Sequence, residues 1–388
     1  MEKVHVVRQA EKRDGVPSAA SLRCCAPCRA RCTRRSCCGA SLAALGLVCG
    51  VTYGVVYALW DWGPSAYSAP PSVTQRNLFV TPAELEALRD DSEQHVVLLD
   101  ARSSTDGLVP GAVHAPWKHF ARGGGSIRRA DYGSAAAAGG GANDMLPTGL
   151  LLEAAELQAR LRALGLRENS TAIVYGAWHR VTYKVTFTPT TWGEEGRLFW
   201  MLHYLNVSDV RCLYGGVNAW RKEGRALVSS AEAKAALAQR LSRTPPSASG
   251  APFVAQPVGG RRATASSIQL GATVLLDARA SREFYAAPGD TSYGAVRGGH
   301  ISGAGNFYWE DVFANGNLRA QVDLREQLGA LGVRFISSNS SSGSGGVVTY
   351  CTGGIRSGFL YMVLVWLGAA EPQNYDGSWW EWSVLHSG

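Results

Sequence analysis

VVLLDAR at residues 96–102 returns as TVLLDAR at 273–279, and the segments around the two copies return in the same order. GAVHAPW from Gly111 returns as GAGNFYW from Gly303, and AIVYG, ending at Gly176, returns as VVTYC, ending at Cys351. RLFWMLHYL (197–205) and GGVNAW (215–220) return as FLYMVLVWL (359–367) and GSWWEW (377–382), both at an offset of 162. A chain that repeats itself at this spacing is built from two similar units. Within each unit short apolar runs alternate with amphipathic stretches, which predicts an α/β fold: two domains, each a parallel sheet flanked by helices. The offset is 175 at the strands ending in Tyr175 and Tyr350. The first copy therefore carries thirteen extra residues in the loop between that strand and the next helix.

Outward from the repeat, the two copies occupy 76–228 and 252–388, and a linker at 229–251 combines a polar helical stretch with the Pro/Ser-rich SRTPPSASGAP (242–252). GSAAAAGGGA (133–142) and SSNSSSGSGG (337–346) read as surface loops. Ahead of the repeat stand a basic, Cys-rich tail (1–38), an uncharged apolar run (39–60) and a Pro/Ser-rich spacer (61–75). Residues 1–40 hold nine Lys/Arg against three acids; the remainder of the 388 residues is nearly neutral, so no nucleic-acid footprint is expected there. The apolar run has the length of a membrane-spanning helix, and the arginines before it predict a cytoplasmic N-terminus. A single-pass membrane protein is thus expected; the alternative is a cleaved presequence leaving a mitochondrial or other organellar enzyme. Seven of nine cysteines lie in the first fifty residues, beside arginines, as lipidation sites do. No metal, nucleotide or flavin motif occurs in the repeat, so neither metal nor cofactor is expected.

Chemistry concentrates at Cys351. A cysteine ending an apolar strand and followed at once by a turn and a helix lies in the crevice where parallel sheets bind their ligands, at a helix N-terminus that stabilises a thiolate. In CTGGIRS (351–357), Gly353 and Gly354 let backbone amides turn inward, Arg356 adds a fixed cation, and Thr352 and Ser357 offer hydroxyl donors. Arg279, just past its strand, is the candidate for a second anion contact. Asp100 and Asp277 are expected to tie the loops after their strands. Cys212, mid-strand and without a base or cation, reads as core. His300 in GGHISGAG reads as a turn histidine bonded to its own backbone rather than a general base.

The repeated LLDAR, GGHISGAGNFYWEDVF (298–313), the CTGGIRS loop and the closing YDGSWWEW (375–382) resemble the tandem-domain rhodanese sulfurtransferases, which act on thiosulfate or 3-mercaptopyruvate. The resemblance runs over about residues 76–388. It implies two rhodanese-like domains, the second catalytic: Cys351 takes a sulfane sulfur as a persulfide from a small anionic donor and passes it to cyanide or a thiol, including that of a thioredoxin-like protein. Arg279 and Arg356 match the family's donor-binding arginines, with Thr352, Gly353, Gly354 and Ser357 completing the substrate loop. Departures are clear as well. Thr-Gly-Gly-Ile-Arg-Ser fits neither the thiosulfate nor the mercaptopyruvate pattern, Leu108 stands where the family has a histidine, and Gly176 replaces the cysteine in the first copy, which makes that copy inactive. A Cys-dependent phosphatase is the first rival, but its phosphate loop needs five residues between Cys and Arg, and Thr352–Ile355 supplies four. A membrane-tethered rhodanese-like binding or regulatory module is the second; the intact Cys351 loop argues against it.

Overall fold

The apolar runs become strands because both their faces are covered. Ser170–Tyr175 and Val347–Tyr350 are buried at every residue, as the central strands of parallel sheets are. The computed structural model describes residues 78–133, 144–178, 191–243, 250–336 and 346–386. The tail (1–38), the expected membrane span (39–60) and the spacer (61–75) lie outside the described residues; among those described, no helix is long and apolar enough to cross a membrane.

The first half runs β1 (Phe79–Val80), α1 (Pro82–Asp90), β2 (His95–Asp100), β3 (Ala112–His114), β4 (Ser126–Arg128), β5 (Met145–Pro147), α2 (Ala154–Ala163), β6 (Ser170–Tyr175), α3 (Glu194–Tyr204), β7 (Asp209–Leu213) and α4 (Gly216–Lys222). The segment expected as a linker is largely helical, α5 (Ser230–Arg243). The second half runs β8 (Arg262–Ala263), β9 (Val274–Asp277), α6 (Ser281–Phe284), β10 (Gly305–Asn306), β11 (Phe313–Ala314), β12 (Asn317–Leu318), α7 (Gln321–Ala330), β13 (Val347–Tyr350), α8 (Arg356–Leu367), β14 (Pro372–Tyr375) and α9 (Ser378–Leu385).

Two five-stranded sheets result, in the orders β1-β7-β6-β2-β3 and β8-β14-β13-β9-β10. Every pairing within them is parallel. Position by position, the two orders match. The loop after the central strand spans 176–193 in the first half and 351–355 in the second, the difference expected from the offsets.

The halves are not separated by an open cleft. One hydrophobic cluster runs from Phe79, Val97 and Trp178 through to Phe359, Met362 and Trp366, so both sheets share it. Helices α3 and α8 cross backbone to backbone at equivalent glycines. A Cβ on Gly196 would sit 2.1 Å from Phe359 Cα, and one on Gly358 would sit 2.8 Å from Arg197 Cα. Any larger residue there would force the helices apart.

Candidate functional site

Cys351 follows β13 directly and precedes α8, with 1% of its surface exposed. Its loop is curled by Gly354, whose φ of 80° is one that residues with a Cβ rarely adopt. Gly353 is required for a different reason: a Cβ there would lie 2.0 Å from the Trp380 ring. The curl turns the Gly354 N–H onto the sulfur, 3.2 Å from Sγ. Burial works to raise the Cys351 thiol pKa. The Arg356 charge, hydrogen bonds from Ser357 and the Gly353 N–H outweigh it, so the thiol lies below its ordinary value.

The closing YDGSWWEW segment clamps the loop from behind. Ser378, at a strained φ of 51°, accepts from the Cys351 N–H (3.1 Å) and donates to the Tyr375 carbonyl (2.6 Å). The first N–H groups of α9 take the loop's carbonyls: Trp379 donates to Cys351 O (3.0 Å) and Trp380 to Thr352 O (2.9 Å). A helix N-terminus has such donors to spare.

The expected donor contacts are differently employed. Arg356 is not a free cation: its Nη1 and Nη2 donate to both carboxylate oxygens of Glu283 (2.7 and 2.8 Å), and Nη2 also donates to the Thr352 hydroxyl. The Thr352 hydroxyl donates to Glu283 Oε1 (3.2 Å), and the Ser357 hydroxyl donates to Asn374 Oδ1 (2.7 Å). A guanidinium and two hydroxyls buried in an apolar wall must find partners, and these are the ones within reach. Arg279 donates Nε and Nη2 to Asp277 (2.6–3.0 Å) and Nη2 to Gly299 O (2.7 Å). Its position is nevertheless near the crevice: with Glu283, Arg297, Thr352, Tyr293 and Trp379 it lines a small cavity of about 20 Å³. There the Arg279 and Arg297 guanidinium groups both lie over the Trp379 ring (5.1 and 4.9 Å).

Asp100 and Asp277 tie their loops as expected, each accepting from the N–H two residues on, Arg102 (3.1 Å) and Arg279 (2.9 Å). Cys212 is fully buried in β7, and burial, with Glu195 adding to it, holds its thiol well above the ordinary value. His300 bonds not its own turn but the Phe284 carbonyl (2.9 Å) and stacks on the Phe284 ring (3.8 Å). In the first half the cysteine's place is closed, since a Cβ on Gly176 would meet the Glu195 carboxylate at 2.2 Å. Leu108 packs in the apolar core there.

Sequence reasoning missed Glu283, Ser378, Asn374 and Arg197. One signal was available for the first: a buried arginine in a glycine loop requires a carboxylate, and Glu283 stands four residues beyond Arg279. Arg197, from the first half, reaches the loop with Nη1 3.4 Å from Gly354 O.

Residues 263–384 match the Rhodanese-like domain family. The chain is 30% identical to the thiosulfate sulfurtransferase of Corynebacterium glutamicum over 57% of its own length and 66% of that relative's, just under two thirds. It is 26% identical to the thiosulfate sulfurtransferase of Azotobacter vinelandii over 79% of its length and 93% of that relative's. Among solved structures it shares the fold of SseA from Escherichia coli, a 3-mercaptopyruvate sulfurtransferase, with a TM-score of 0.54 at 20% identity over 78% of this chain and 99% of that one.

Proposed function

The chain belongs to the rhodanese family of sulfurtransferases, and from that premise we propose that it carries a sulfane sulfur on Cys351 between a small anionic donor and a nucleophilic acceptor. The observation that carries the reading is the Cys351 thiol itself, buried at the start of α8 with the Gly354 N–H on its sulfur. A thiol held below its ordinary pKa carries more thiolate, and so is a better nucleophile, than a free cysteine at the same pH.

In the proposed cycle the Cys351 thiolate attacks the outer sulfur of thiosulfate. The S–S bond of the donor breaks, sulfite leaves with the bonding pair, and Cys351 becomes a persulfide anion. Cyanide or a thiolate then attacks the outer sulfur, the new S–S bond breaks, and thiocyanate or an acceptor persulfide departs while the Cys351 thiolate returns. With 3-mercaptopyruvate as donor the leaving group is the enolate of pyruvate. The names of the relatives support these two donors; a thioredoxin-like protein thiol is the proposed physiological acceptor.

The phosphatase reading fares poorly against the geometry. Four residues separate Cys351 from Arg356, and the Arg356 fork is filled by Glu283 instead of facing an anion. The N-terminal segment 39–60 is proposed as a single membrane span, with organellar import after cleavage as the alternative; Asn169, Asn206 and Asn339 in N-x-[ST] triplets become glycan sites only in a secretory topology.

Cyanide-dependent formation of thiocyanate, with thiosulfate and 3-mercaptopyruvate each as donor, is the direct test. Cys351→Ser should abolish turnover with an unchanged melting profile; retained turnover above about a hundredth of wild type would end the assignment.

A further inference from the structure

The crossing of α3 and α8 is built on equivalent glycines, and beside them an asymmetric pair of residues lies over the two loops. At the repeat's offset, Gly196 corresponds to Gly358 and Arg197 to Phe359. The Phe359 ring of the second half lies against the first half's inactive loop, 5.8 Å from the Trp178 ring, and its Cβ would be 2.9 Å from a Cβ on Gly193. The side chain of Arg197 makes the reciprocal reach. It lies against the second half's loop, where a Cβ on Gly354 would meet Nη1 at 2.7 Å. An apolar ring thus faces the loop that has lost its cysteine, and a cation faces the loop that keeps it.

That cation is costly where it stands. Arg197 is 2% exposed and forms no ion pair among the described residues. Nη1 donates to Gly354 O (3.4 Å), Nη2 donates to Gly149 O, and the guanidinium lies over the Trp200 ring (4.7 Å). Asp376, the carboxylate whose charge reaches it, is already shared between Arg262 (2.8 and 3.1 Å) and the Leu151 N–H (2.9 Å). A buried guanidinium supported only by carbonyls and a ring needs a further anion to offset its lost hydration. Burial lowers the Arg197 pKa to about 10, opposed by the charges of Asp376 and Cys351 and assisted by that of Arg262, so the group remains cationic at neutral pH.

We propose that Arg197 is a positioning residue for Cys351: from the first half it pins the Gly354 carbonyl, keeping the N–H of the same residue on the sulfur, and stands as fixed counter-charge to the sulfur anion in both its thiolate and persulfide forms. The inference rests on the sulfur-carrier reading of Cys351. Asn374 Nδ2 holds the same carbonyl (3.2 Å), so the Gly354 peptide is gripped by two donors, one from each half. The charged groups around the sulfur are then Arg356 with its partner Glu283, and Arg197 with Asp376 and Arg262 behind it.

The test compares Arg197→Gln, which keeps a donor amide without charge, with Arg197→Lys, which keeps the charge. Iodoacetamide alkylation of the full-length protein is followed against pH, reading the Cys351 peptide alone by mass spectrometry so that the other eight cysteines do not contribute. The Gln variant should move the midpoint up by about one pH unit and lower kcat at pH 7 about tenfold, with the thiosulfate KM within about twofold; the Lys variant should recover most of both. An unmoved midpoint in a folded Gln variant overturns the proposal. If that variant does not fold, wild-type protein decides: the Arg197 Nε resonance, assigned by its absence from the Lys variant, should shift as Cys351 ionises and stay fixed in Cys351→Ser. A resonance indifferent to Cys351 also overturns it. Wild-type protein without thiocyanate activity would refute the sulfur-carrier reading instead, because alkylation needs no sulfur transfer.

Discussion

Removing both members of the Glu283–Arg356 pair should cost clearly less than the two single removals summed. The two side chains are 8% and 5% exposed and meet through two parallel bonds of 2.7 and 2.8 Å, and the Arg356 guanidinium also lies over the Trp192 and Tyr293 rings (5.4 and 5.9 Å), which meet each other edge to face. Burial pushes the Glu283 carboxyl up, but the Arg356 hydrogen bonds and charge, assisted by Arg279, hold it below its ordinary value. Each single alanine change leaves an uncompensated buried charge, worth about 3–5 kcal/mol. At about 2–3 °C per kcal/mol for a unit of this size, each variant should melt roughly 6–15 °C lower. The double variant leaves no uncompensated member of the pair, only the Thr352 hydroxyl without its two partners, so its loss should fall short of the summed singles by at least about 2 kcal/mol. Urea unfolding of wild type, both singles and the double closes the cycle. Additivity to within about 0.5 kcal/mol would refute the pairing as the reason these two residues are buried. The sign with pH follows from the depressed carboxyl: the pair's contribution is present above the unfolded carboxyl value of about 4.3 and is lost as pH falls through the lower folded value. In activity, Arg356→Ala should depress kcat by weakening the thiolate more than it raises the donor KM, since the fork is occupied by Glu283.

Other outcomes follow from the same geometry. Cys212→Ser should leave sulfur transfer unchanged, because that thiol is sealed in β7; loss of activity in a folded variant would demand a two-cysteine relay. Glu195 is fully buried, and burial together with Glu194 raises its carboxyl to about 8. Its folded pKa is above the unfolded one, so its contribution is full below about pH 4.3 and is lost as pH rises through 8. Glu195→Gln should therefore flatten the pH dependence of stability between those values and gain up to about 5 kcal/mol at pH 9; an unchanged profile in urea unfolding would refute the raised carboxyl. A chain starting near Ser72 should be folded and as active as full-length protein, while the full-length protein should resist an alkaline carbonate wash of membranes; a mature protein beginning beyond Trp60 in a soluble organellar fraction would overturn the anchor. A fragment of residues 252–388, although it contains Cys351, should be inactive, because it loses Arg197, Trp192 and the shared core; sulfur transfer by that fragment at the full-length rate would show those contacts to be dispensable.

What was legible in the sequence was local or repeated. VVLLDAR and TVLLDAR announce themselves because central parallel strands are apolar at consecutive positions, and a duplicated pattern is its own control. The glycine loop after Cys351 is legible since close backbone approach leaves glycine as the residue that fits. The sequence points to Arg356 as a fixed cation but cannot show its partner, because Glu283 is 73 positions away and nothing between them fixes how α6 meets α8. Ser378, 27 positions from Cys351, and Arg197, 157 positions from Gly354, were hidden by the same distance. A hydroxyl or guanidinium declares a need for a partner, and only tertiary packing chooses it.

That choice of partners explains how an anion can be handled in a site whose arginines are mostly spoken for. Arg279 is neutralised by Asp277, Arg356 by Glu283 and Arg262 by Asp376, so each brings its carboxylate with it into the low-dielectric interior. The charge of the sulfur falls to backbone amides at the start of α8, to Arg356 in spite of its carboxylate partner, and to Arg197, which forms no ion pair among the described residues. In the proposed cycle the sulfur carries one negative charge as thiolate and one as persulfide, so this surrounding field needs no rearrangement between the two covalent states. Fixed dipoles that are already oriented cost nothing to reorganise at the moment of transfer. The rigidity has its source in the α3–α8 crossing, where Gly196 and Gly358 admit no slack, and it is there that the half without a cysteine acts on the half that has one.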